Sequence, residues 1–202
     1  VSRPSIREAF RALEIIGLIE VRPGGGTYIT DLNMAPFITL ISPLFFCKPN
    51  AERELLEFRQ LIETEAVRLA SAQQLPQGMA ALRGAIGDME RALEQYEPGK
   101  GADADIRFHQ AIFQCSDHSV LNKVAECVFC FLENSVRFNR AVIIKDIRQS
   151  QQLLDQHRLI LQAIESGQDL AAAQAMSDHL RFAHDCLTAG IHAGTAATGS
   201  ER

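Results

Sequence analysis

The sequence of 202 residues lacks an apolar run long enough for a membrane-spanning helix, which takes about 20 residues. It has no basic start followed by an apolar segment, the pattern of a secretion signal. It also lacks an excess of positive charge: 20 Lys and Arg stand against 25 Asp and Glu, a formal net charge of −5. That balance argues against nonspecific coating of nucleic acid. We therefore expect a cytoplasmic protein with no membrane partner.

The cysteines are few, with five in the chain, an odd number scattered among apolar residues. This usage is typical of reduced, buried thiols in a cytosolic protein. Cys127 and Cys130 have the spacing of a metal or redox pair, but no second such pair occurs and they lie in an apolar helical stretch. We therefore assign no chemistry to the cysteines.

The chain begins with the pattern of a helix followed by a β-hairpin. Ser2 can accept a free backbone N–H and Pro4 suits a first turn, so a helix starts here. Gly17 ends it, and β-prone runs at 18–21 and 27–30 flank a glycine-rich turn. One helical face is apolar and another is cationic, with arginines at Arg3, Arg7 and Arg11. An arginine stripe alone is more often a solvated surface, but a stripe followed by a short wing indicates the second half of a winged helix-turn-helix.

The rest of the chain differs in charge and in pattern. Residues 1–30 carry four Arg and three Glu, a net charge of +1, which leaves −6 for the remainder. Helical patterns cover 51–72, 76–96, 102–115, 120–138, 147–166 and 169–189, without strand signals. We predict a mainly all-α fold: a partial winged helix-turn-helix (helix plus β-hairpin wing) at 1–30, a linker at 31–50 and an antiparallel helical bundle at 51–190, followed by a disordered tail at 191–202.

Four polar residues in the predicted bundle have the spacing of a metal site. Asp105 and His109 are four apart on one helix and project from the same face. His157 lies nine residues before Ser166 and His179 nine residues after Leu170, about 13.5 Å along each helix, so the two histidines return to the same level of the hairpin. A single helical histidine is more often a satisfied or exposed side chain, and the symmetry about the turn is what favours a site. Three imidazoles and one carboxylate suit Zn²⁺ first, with Ni²⁺ or Mn²⁺ as alternatives.

The N-terminal residues also carry a family motif: Ser2-Arg3-x-x-x-Arg7-Glu8-Ala9-x-x-x-Leu13-x-x-x-Gly17-Leu18, then Gly24-x-Gly26-Thr27. Over residues 1 to about 30 it resembles the DNA-binding domain of GntR-family bacterial repressors. The resemblance implies that Arg3 and Arg7 reach guanine edges or phosphates. It places Pro4 and Ser5 beside them, with Pro4 where a Thr is commoner, and it places Gly24 of the wing in the minor groove. The family has further helices upstream, so we expect an N-terminally truncated chain.

A second resemblance covers nearly all of 51–185. Its motifs are Glu57-Phe58-Arg59-x-x-x-Glu63, Asp105-x-x-Phe108-His109-x-x-Ile112, His157-x-x-Ile160-x-x-Ala163-Ile164-x-x-Gly167-x-Asp169 and Met176-x-x-His179-Leu180. They are similar to the FCD ligand-sensing domain of the FadR subfamily.

That resemblance implies that Asp105 and the three histidines hold a divalent metal ion. A small carboxylate effector, whether a sugar acid, a hydroxy acid or a dicarboxylate, would complete the coordination. It also implies that Arg59 points into the pocket and meets this carboxylate. The alternative for Arg59 is a surface ion pair with Glu63, four residues on.

These features together predict a DNA-binding transcription regulator. It would act as a homodimer on operator DNA, because palindromic half-sites require two recognition helices. Effector binding in the bundle would alter operator affinity allosterically. Two alternatives stay open: a metal-dependent hydrolase-type enzyme using the Asp/His₃ site, and a metal sensor. The winged segment favours the regulator, and we do not expect an enzyme.

Overall fold

The computed structural model describes residues 2–30, 35–47, 50–143 and 147–198, and no side chain at 36, 45, 46, 52, 132–143 or 187–198. The described chain is mostly helical with one small antiparallel sheet, which confirms the predicted fold class. Its elements are α1 (Arg3–Ile15), β1 (Ile19–Arg22), β2 (Gly26–Ile29), α2 (Ala35–Phe46), α3 (Ala51–Gln73), α4 (Pro76–Glu94), α5 (Pro98–Cys115), α6 (Ser119–Ile143), α7 (Ile147–Glu165) and α8 (Asp169–Thr198). None of the described helices is long and apolar enough to cross a bilayer.

Helix α1 begins and ends as its sequence predicts. The Ser2 hydroxyl accepts the Ser5 N–H, which satisfies one free donor of the first turn. At the other end Gly17 has a φ of 76°, and the Leu18 N–H bonds back to the Leu13 carbonyl over 2.9 Å. This is a Schellman ending, which turns the chain directly into β1.

The hairpin after α1 pairs β1 and β2 antiparallel, with Ile19 opposite Ile29 and Arg22 opposite Gly26. Gly24 at the tip has a φ of 74°, a conformation that side chains rarely adopt. The Arg22 guanidinium lies 4.8 Å from the centre of the Tyr28 ring. The wing is therefore a short ribbon with a glycine turn.

The bundle is built from α3 to α8, with α4 packed along α5 and α3 packed along α8. The α4–α5 contact is close because Gly78 lies against Cys115: a Cβ on Gly78 would be 2.4 Å from the Cys115 Sγ. Helices α3 and α8 run antiparallel, since Gln60 bonds to Ser177 while Arg68, further along α3, pairs with Asp169 at the start of α8. The largest fully buried apolar side chains are those of Phe108, Phe113, Leu82, Ile112, Ile160, Ile164, Met176 and Leu180.

Two turns meet at one end of the bundle. The Gln74 side-chain amide, in the α3–α4 turn, donates to the Ile164 carbonyl in the last turn of α7 over 3.0 Å. Gly167 ends α7 with a φ of 65°, and the Gln168 N–H bonds back to Ala163. The α3–α4 and α7–α8 turns are therefore joined by a side chain that satisfies a free helix carbonyl.

The structure differs from the sequence prediction at several boundaries. Helix α5 starts at Pro98 and not at 102, because a proline is tolerated in the first turn of a helix. Helix α8 extends to Thr198, past the predicted end of the bundle at 190, and 199–202 lie outside the described residues. Residues 31–50 contain α2. The expectation of buried thiols is wrong for Cys47, which is exposed.

Candidate functional site

Four side chains from three helices converge in the bundle interior. Asp105 and His109 come from α5, His157 from α7 and His179 from α8. One potential ligand atom from each lies within 4.8 Å of the others. The three histidines are at most 1% exposed and Asp105 is 9% exposed. The structure therefore brings together all four residues that the sequence predicts as metal ligands.

The ligand atoms face one another closely. The Nε2 atoms of His109 and His179 are 3.3 Å apart. The Nε2 of His157 lies 3.2 Å from the Asp105 Oδ1, and that oxygen is 4.0 Å from the His109 Nε2. The buried Phe108 ring packs edge-on against His157, with ring centres 4.7 Å apart. The cluster thus has a defined arrangement held by packing.

Two of the histidines are oriented from behind by residues outside the predicted site. The Glu63 carboxylate, on α3, accepts a hydrogen bond from the His109 Nδ1. The Gln156 Oε1 accepts one from the His179 Nδ1 over 3.0 Å. Because both partners are oxygen acceptors, each Nδ1 carries the hydrogen and each Nε2 presents a lone pair. Anchoring of this kind is what fixes the tautomer of metal-binding histidines.

The arrangement fits a metal ion. With both Nδ1 atoms protonated, the Nε2 lone pairs of His109 and His179 face each other and repel unless a proton or cation lies between them. The carboxylate of Asp105 adds a negative charge at the same point. Three imidazole nitrogens and one carboxylate oxygen are the donor set that zinc, nickel and manganese accept. These four residues could therefore hold such an ion, which would supply a positive centre able to bind a further oxygen ligand.

Arg59 is buried and reaches this cluster through Glu63. Its Nε donates to the Glu63 Oε1 over 2.6 Å, and both side chains are at most 6% exposed. Burial raises the pKa of Glu63, but the charge of Arg59 and the hydrogen bonds from Arg59 and His109 outweigh the effect of burial and lower the pKa below its usual value. The Glu63 carboxylate is therefore ionised. The pair with Glu63 that the sequence suggests does form, but in the interior and not on the surface.

The Arg59 Nη2 is buried and has no hydrogen-bond partner among the described residues. A buried guanidinium nitrogen without a partner is costly, so an acceptor is expected there. Arg59 is not among the residues that line the cavity beside the cluster. The prediction that Arg59 meets an effector carboxylate therefore rests on the Nη2 atom.

A cavity of about 290 Å³ lies between α4, α5 and α7. Exposed residues, Tyr96 and Ile147, form its mouth, and the buried Asp105 and His157 form its inner end. None of the described residues lining it is Lys or Arg. Apart from Tyr96 and Ile147, its apolar lining residues are Met89, Ala92, Leu93, Pro98, Leu153 and Leu154. A small molecule could thus approach the cluster along an apolar passage.

The residues predicted to contact DNA lie on α1 and at the wing tip. Arg3, Pro4, Ser5 and Arg7 are all exposed on the first two turns of α1. Gly24 is exposed at the turn of the hairpin, with open space where a side chain would be. The structure therefore places all of these residues on the protein surface.

Sequence reasoning missed Glu63 and Gln156 as residues of the site. Glu63 was noticed only as a partner of Arg59, four residues away, and it contacts a histidine 46 residues away. Gln156 directly precedes His157 but bonds to His179. Both residues supply a hydrogen-bond acceptor to the Nδ1 atom of a histidine. The spacing of residues along the sequence does not show which acceptor lies there.

Comparison with known proteins gives consistent matches at both ends of the chain. The FCD domain matches residues 54–182, and the bacterial regulatory proteins of the gntR family match residues 1–29. The Uxu operon transcriptional regulator of Escherichia coli is 32% identical over 89% of this chain and 70% of its own length. The putative L-lactate dehydrogenase operon regulatory protein of Escherichia coli is 31% identical, over 93% and 72%. A solved structure, Streptococcus agalactiae GntR, has a TM-score of 0.67 and 26% identity, covering 90% of this chain and 81% of that one.

Proposed function

The chain belongs to the GntR family of bacterial transcription regulators and carries their FCD domain, and from that premise we propose that a metal ion and a small carboxylate effector bind together in its bundle. As a member of this family the protein is a DNA-binding regulator and not an enzyme, so the hydrolase alternative is wrong. In our proposal, effector binding modulates the affinity of the winged segment for operator DNA.

One observation carries the metal half of the proposal: two buried imidazoles direct their Nε2 atoms at one point, where a carboxylate oxygen also lies. Glu63 and Gln156 hold those imidazoles in the orientation that metal binding requires. We propose Zn²⁺ as the ion, with Ni²⁺ or Mn²⁺ as alternatives, bound by Asp105 and the three histidines.

The effector half rests on the charge and access of the site. A divalent ion in the cluster would give the inner end of the cavity a positive charge, which favours a carboxylate. We assign the Arg59 Nη2, the remaining buried donor, to the same effector. One relative is named for an L-lactate dehydrogenase operon, and L-lactate is a hydroxy acid, one of the predicted classes.

The DNA half rests on the exposed face of α1. We propose that Arg3 and Arg7 contact guanines or phosphates, that Pro4 and Ser5 lie against the DNA beside them, and that Gly24 enters the minor groove. A homodimer would present two such helices to the half-sites of an operator.

The metal site is tested by elemental analysis of the purified protein beside the variant Asp105→Ala/His109→Ala. We expect about one transition metal ion per chain, lost in the variant while the helical circular dichroism spectrum is kept. Arg83→Ala/Glu165→Ala, which removes a surface ion pair elsewhere on the bundle, is the matched control and should keep its metal. No metal in either protein after loading with zinc would refute the site. Metal that alone changes operator affinity, with no effect of any carboxylate, would make the protein a metal sensor.

The DNA interface is tested by Arg7→Ala in the regulator. Operator binding should weaken by about 1–3 kcal/mol, because one arginine contact to a base is lost. Arg83→Ala changes the net charge equally but lies on α4, and it should bind as the unaltered protein does. Equal losses in both variants would show that only overall charge matters.

A further inference from the structure

We infer that Arg22 of the wing binds a DNA phosphate at the border of the minor groove, with Tyr28 as the residue that positions it. This inference rests on the proposed function, because it takes the wing to enter that groove at Gly24. It adds a side-chain contact, the DNA group that the contact reaches and the residue that holds the side chain ready. The hydrogen bonds and the ring contact of the wing carry the argument.

Arg22 is the cation of the wing. Residues 18–30 contain two charged side chains, Glu20 and Arg22, and the turn between the strands consists of proline and glycine. Binding to DNA depends largely on cations that neutralise phosphates. A wing that lies against DNA therefore has Arg22 with which to attract a phosphate.

The strand register places Arg22 on one face of the hairpin with Glu20 and Tyr28. Glu20 is opposite Tyr28, and Arg22 is opposite Gly26. Residues directly opposite share a face of the sheet, as do residues two apart along a strand. Because Gly26 has no side chain, the guanidinium of Arg22 can lie over the Tyr28 ring, 4.8 Å from the ring centre.

Three contacts hold the guanidinium in place. Its Nε and Nη2 atoms donate to the two oxygens of the Glu20 carboxylate, over 3.2 and 3.1 Å. The Tyr28 ring lies against its face, and the Tyr28 hydroxyl donates to the Gly25 carbonyl over 2.7 Å, which ties the ring to the turn. Arg22 is therefore oriented before DNA binds, although its side chain is 59% exposed.

The remaining edge of the guanidinium suits a phosphate. The bonds to Glu20 use Nε and one hydrogen of Nη2, which leaves the Nη1 hydrogens and the second Nη2 hydrogen for another acceptor. Two parallel N–H groups of a guanidinium match two oxygens of a phosphate. The Glu20 carboxylate lies on a different edge and does not occupy the phosphate position.

The place of Arg22 in the wing matches the border of the minor groove. Gly24, which we propose enters that groove, is two residues from Arg22, at most about 7 Å along an extended chain. The minor groove is about 6 Å wide and is bordered by the phosphates of both strands. With Gly24 in the groove, Arg22 is level with a bordering phosphate.

The test measures the binding of two labelled duplexes of equal length by fluorescence anisotropy at several salt concentrations. One is an operator that the unaltered protein selects from a random library, and the other is a permuted sequence of the same composition. Arg22→Met should weaken binding to both about eightfold at 0.1 M salt. It should also lower the slope of log Kd against log salt by about 0.9, because one phosphate contact is lost. Arg83→Met, which removes the same charge on α4, should change neither.

A second variant separates the contact from the net charge. Glu20→Gln/Arg22→Met removes both charges of the pair, so the net charge of the wing is unchanged. It should still weaken binding to both duplexes, because the directed contact is gone. The matched control is Arg83→Met/Glu165→Gln, which neutralises an exposed ion pair on the bundle and should bind as the unaltered protein does.

A double-mutant cycle tests whether Tyr28 acts through Arg22. Tyr28→Leu should weaken binding about twofold to tenfold, because DNA binding must then immobilise a side chain that the ring no longer holds. The same substitution added to Arg22→Met should have no further effect. Tyr28→Phe keeps the ring and removes only the hydroxyl bond to Gly25, so it should lose less affinity than Tyr28→Leu.

The outcomes separate this inference from the proposed function. Unchanged affinity and salt slope in Arg22→Met, or a loss confined to the operator duplex, overturns the phosphate contact. An equal loss from Tyr28→Leu with and without Arg22 overturns the positioning role. In either case a loss in Arg7→Ala, measured in the same assay, retains the proposed DNA interface. Unchanged operator binding in both Arg7→Ala and Arg22→Met overturns the interface and the inference together.

Discussion

Glu63 has two roles, balancing the charge of Arg59 and orienting His109, and suitable variants can separate them. Its carboxylate neutralises the buried Arg59 through one oxygen and accepts from the His109 Nδ1 through the other. Removing the carboxylate alone would therefore disturb folding and metal binding together. The informative comparison is between Arg59→Met/Glu63→Met and Arg59→Met/Glu63→Gln, which both remove the two charges. Of these two, the glutamine variant retains an oxygen that can accept from His109.

The magnitudes follow from the burial of the pair. The Arg59 and Glu63 side chains are 6% and 1% exposed, so losing one partner strands a buried charge and should cost about 3–5 kcal/mol of unfolding free energy. Removing both charges avoids that cost, and each double variant should lie within about 3 kcal/mol of the unaltered protein. Zinc affinity should separate them: losing the acceptor behind a ligating histidine typically weakens metal binding about 10–100-fold.

Unfolding by urea on the zinc-free proteins measures the first quantity, and competition with a chromophoric chelator measures the second. The surface pair Arg53 and Glu57, with the same spacing on the same helix but about 60% exposed, provides the control double methionine variant, which should change neither. Equal zinc affinity in the glutamine and methionine variants would refute the claim that Glu63 orients His109.

Three further outcomes are expected. Gly78→Ala should destabilise the bundle by about 1–3 kcal/mol, because the added Cβ would overlap Cys115. Gly84→Ala, on the same helix, places its Cβ within 4 Å of no other atom and should stabilise the bundle by up to about 1 kcal/mol. Urea unfolding of both variants measures these two changes. Burial raises the pKa of the Cys115 thiol to about 11. At pH 8 iodoacetamide should therefore modify the exposed Cys47 first and Cys115 only on unfolding, which peptide mass spectrometry measures. Early modification of Cys115 would contradict its burial. Adding zinc at 100 times its Kd should raise the free energy of unfolding by about 2.7 kcal/mol, and a chelator should reverse the increase. A melting temperature that does not change when zinc is added would contradict a zinc site in the folded protein.

The sequence predicted most of the fold because its helix ends are marked by local chemistry. Ser2 and Gly17 bound α1, and Gly167 ends α7 where it is predicted to end. The pairing of Asp105 with His109 follows from helical spacing alone. Counting residues along the two helices on either side of Gly167 correctly predicted that His157 and His179 lie at the same level of the bundle. The count works because the turn between these helices is as short as the sequence indicates.

The remainder depends on contacts that no local pattern encodes. The start of α5 was missed because Pro98 and Gly99 usually mark a loop, yet here the Gly101 N–H bonds to the Glu97 carbonyl within the first turn. Arg59 looked like a surface residue or a ligand of the effector, and its burial against Glu63 depends on how α3 packs. The role of Gln156 depends on α8 lying beside α7.

The two ends of the bundle differ in what lies between their helices. At one end the side chain of Gln74 joins the α3–α4 turn to the last turn of α7 through a part-buried hydrogen bond to a free helix carbonyl. At the other end α4, α5 and α7 surround a cavity, beside which the Glu90 and Arg158 side chains pair across α4 and α7. Helix α3 also begins at that open end, where the chain arrives from the wing through α2. A molecule that fills the cavity would therefore lie at the end of the bundle where α3 begins, which is the end that the chain enters from the wing and α2.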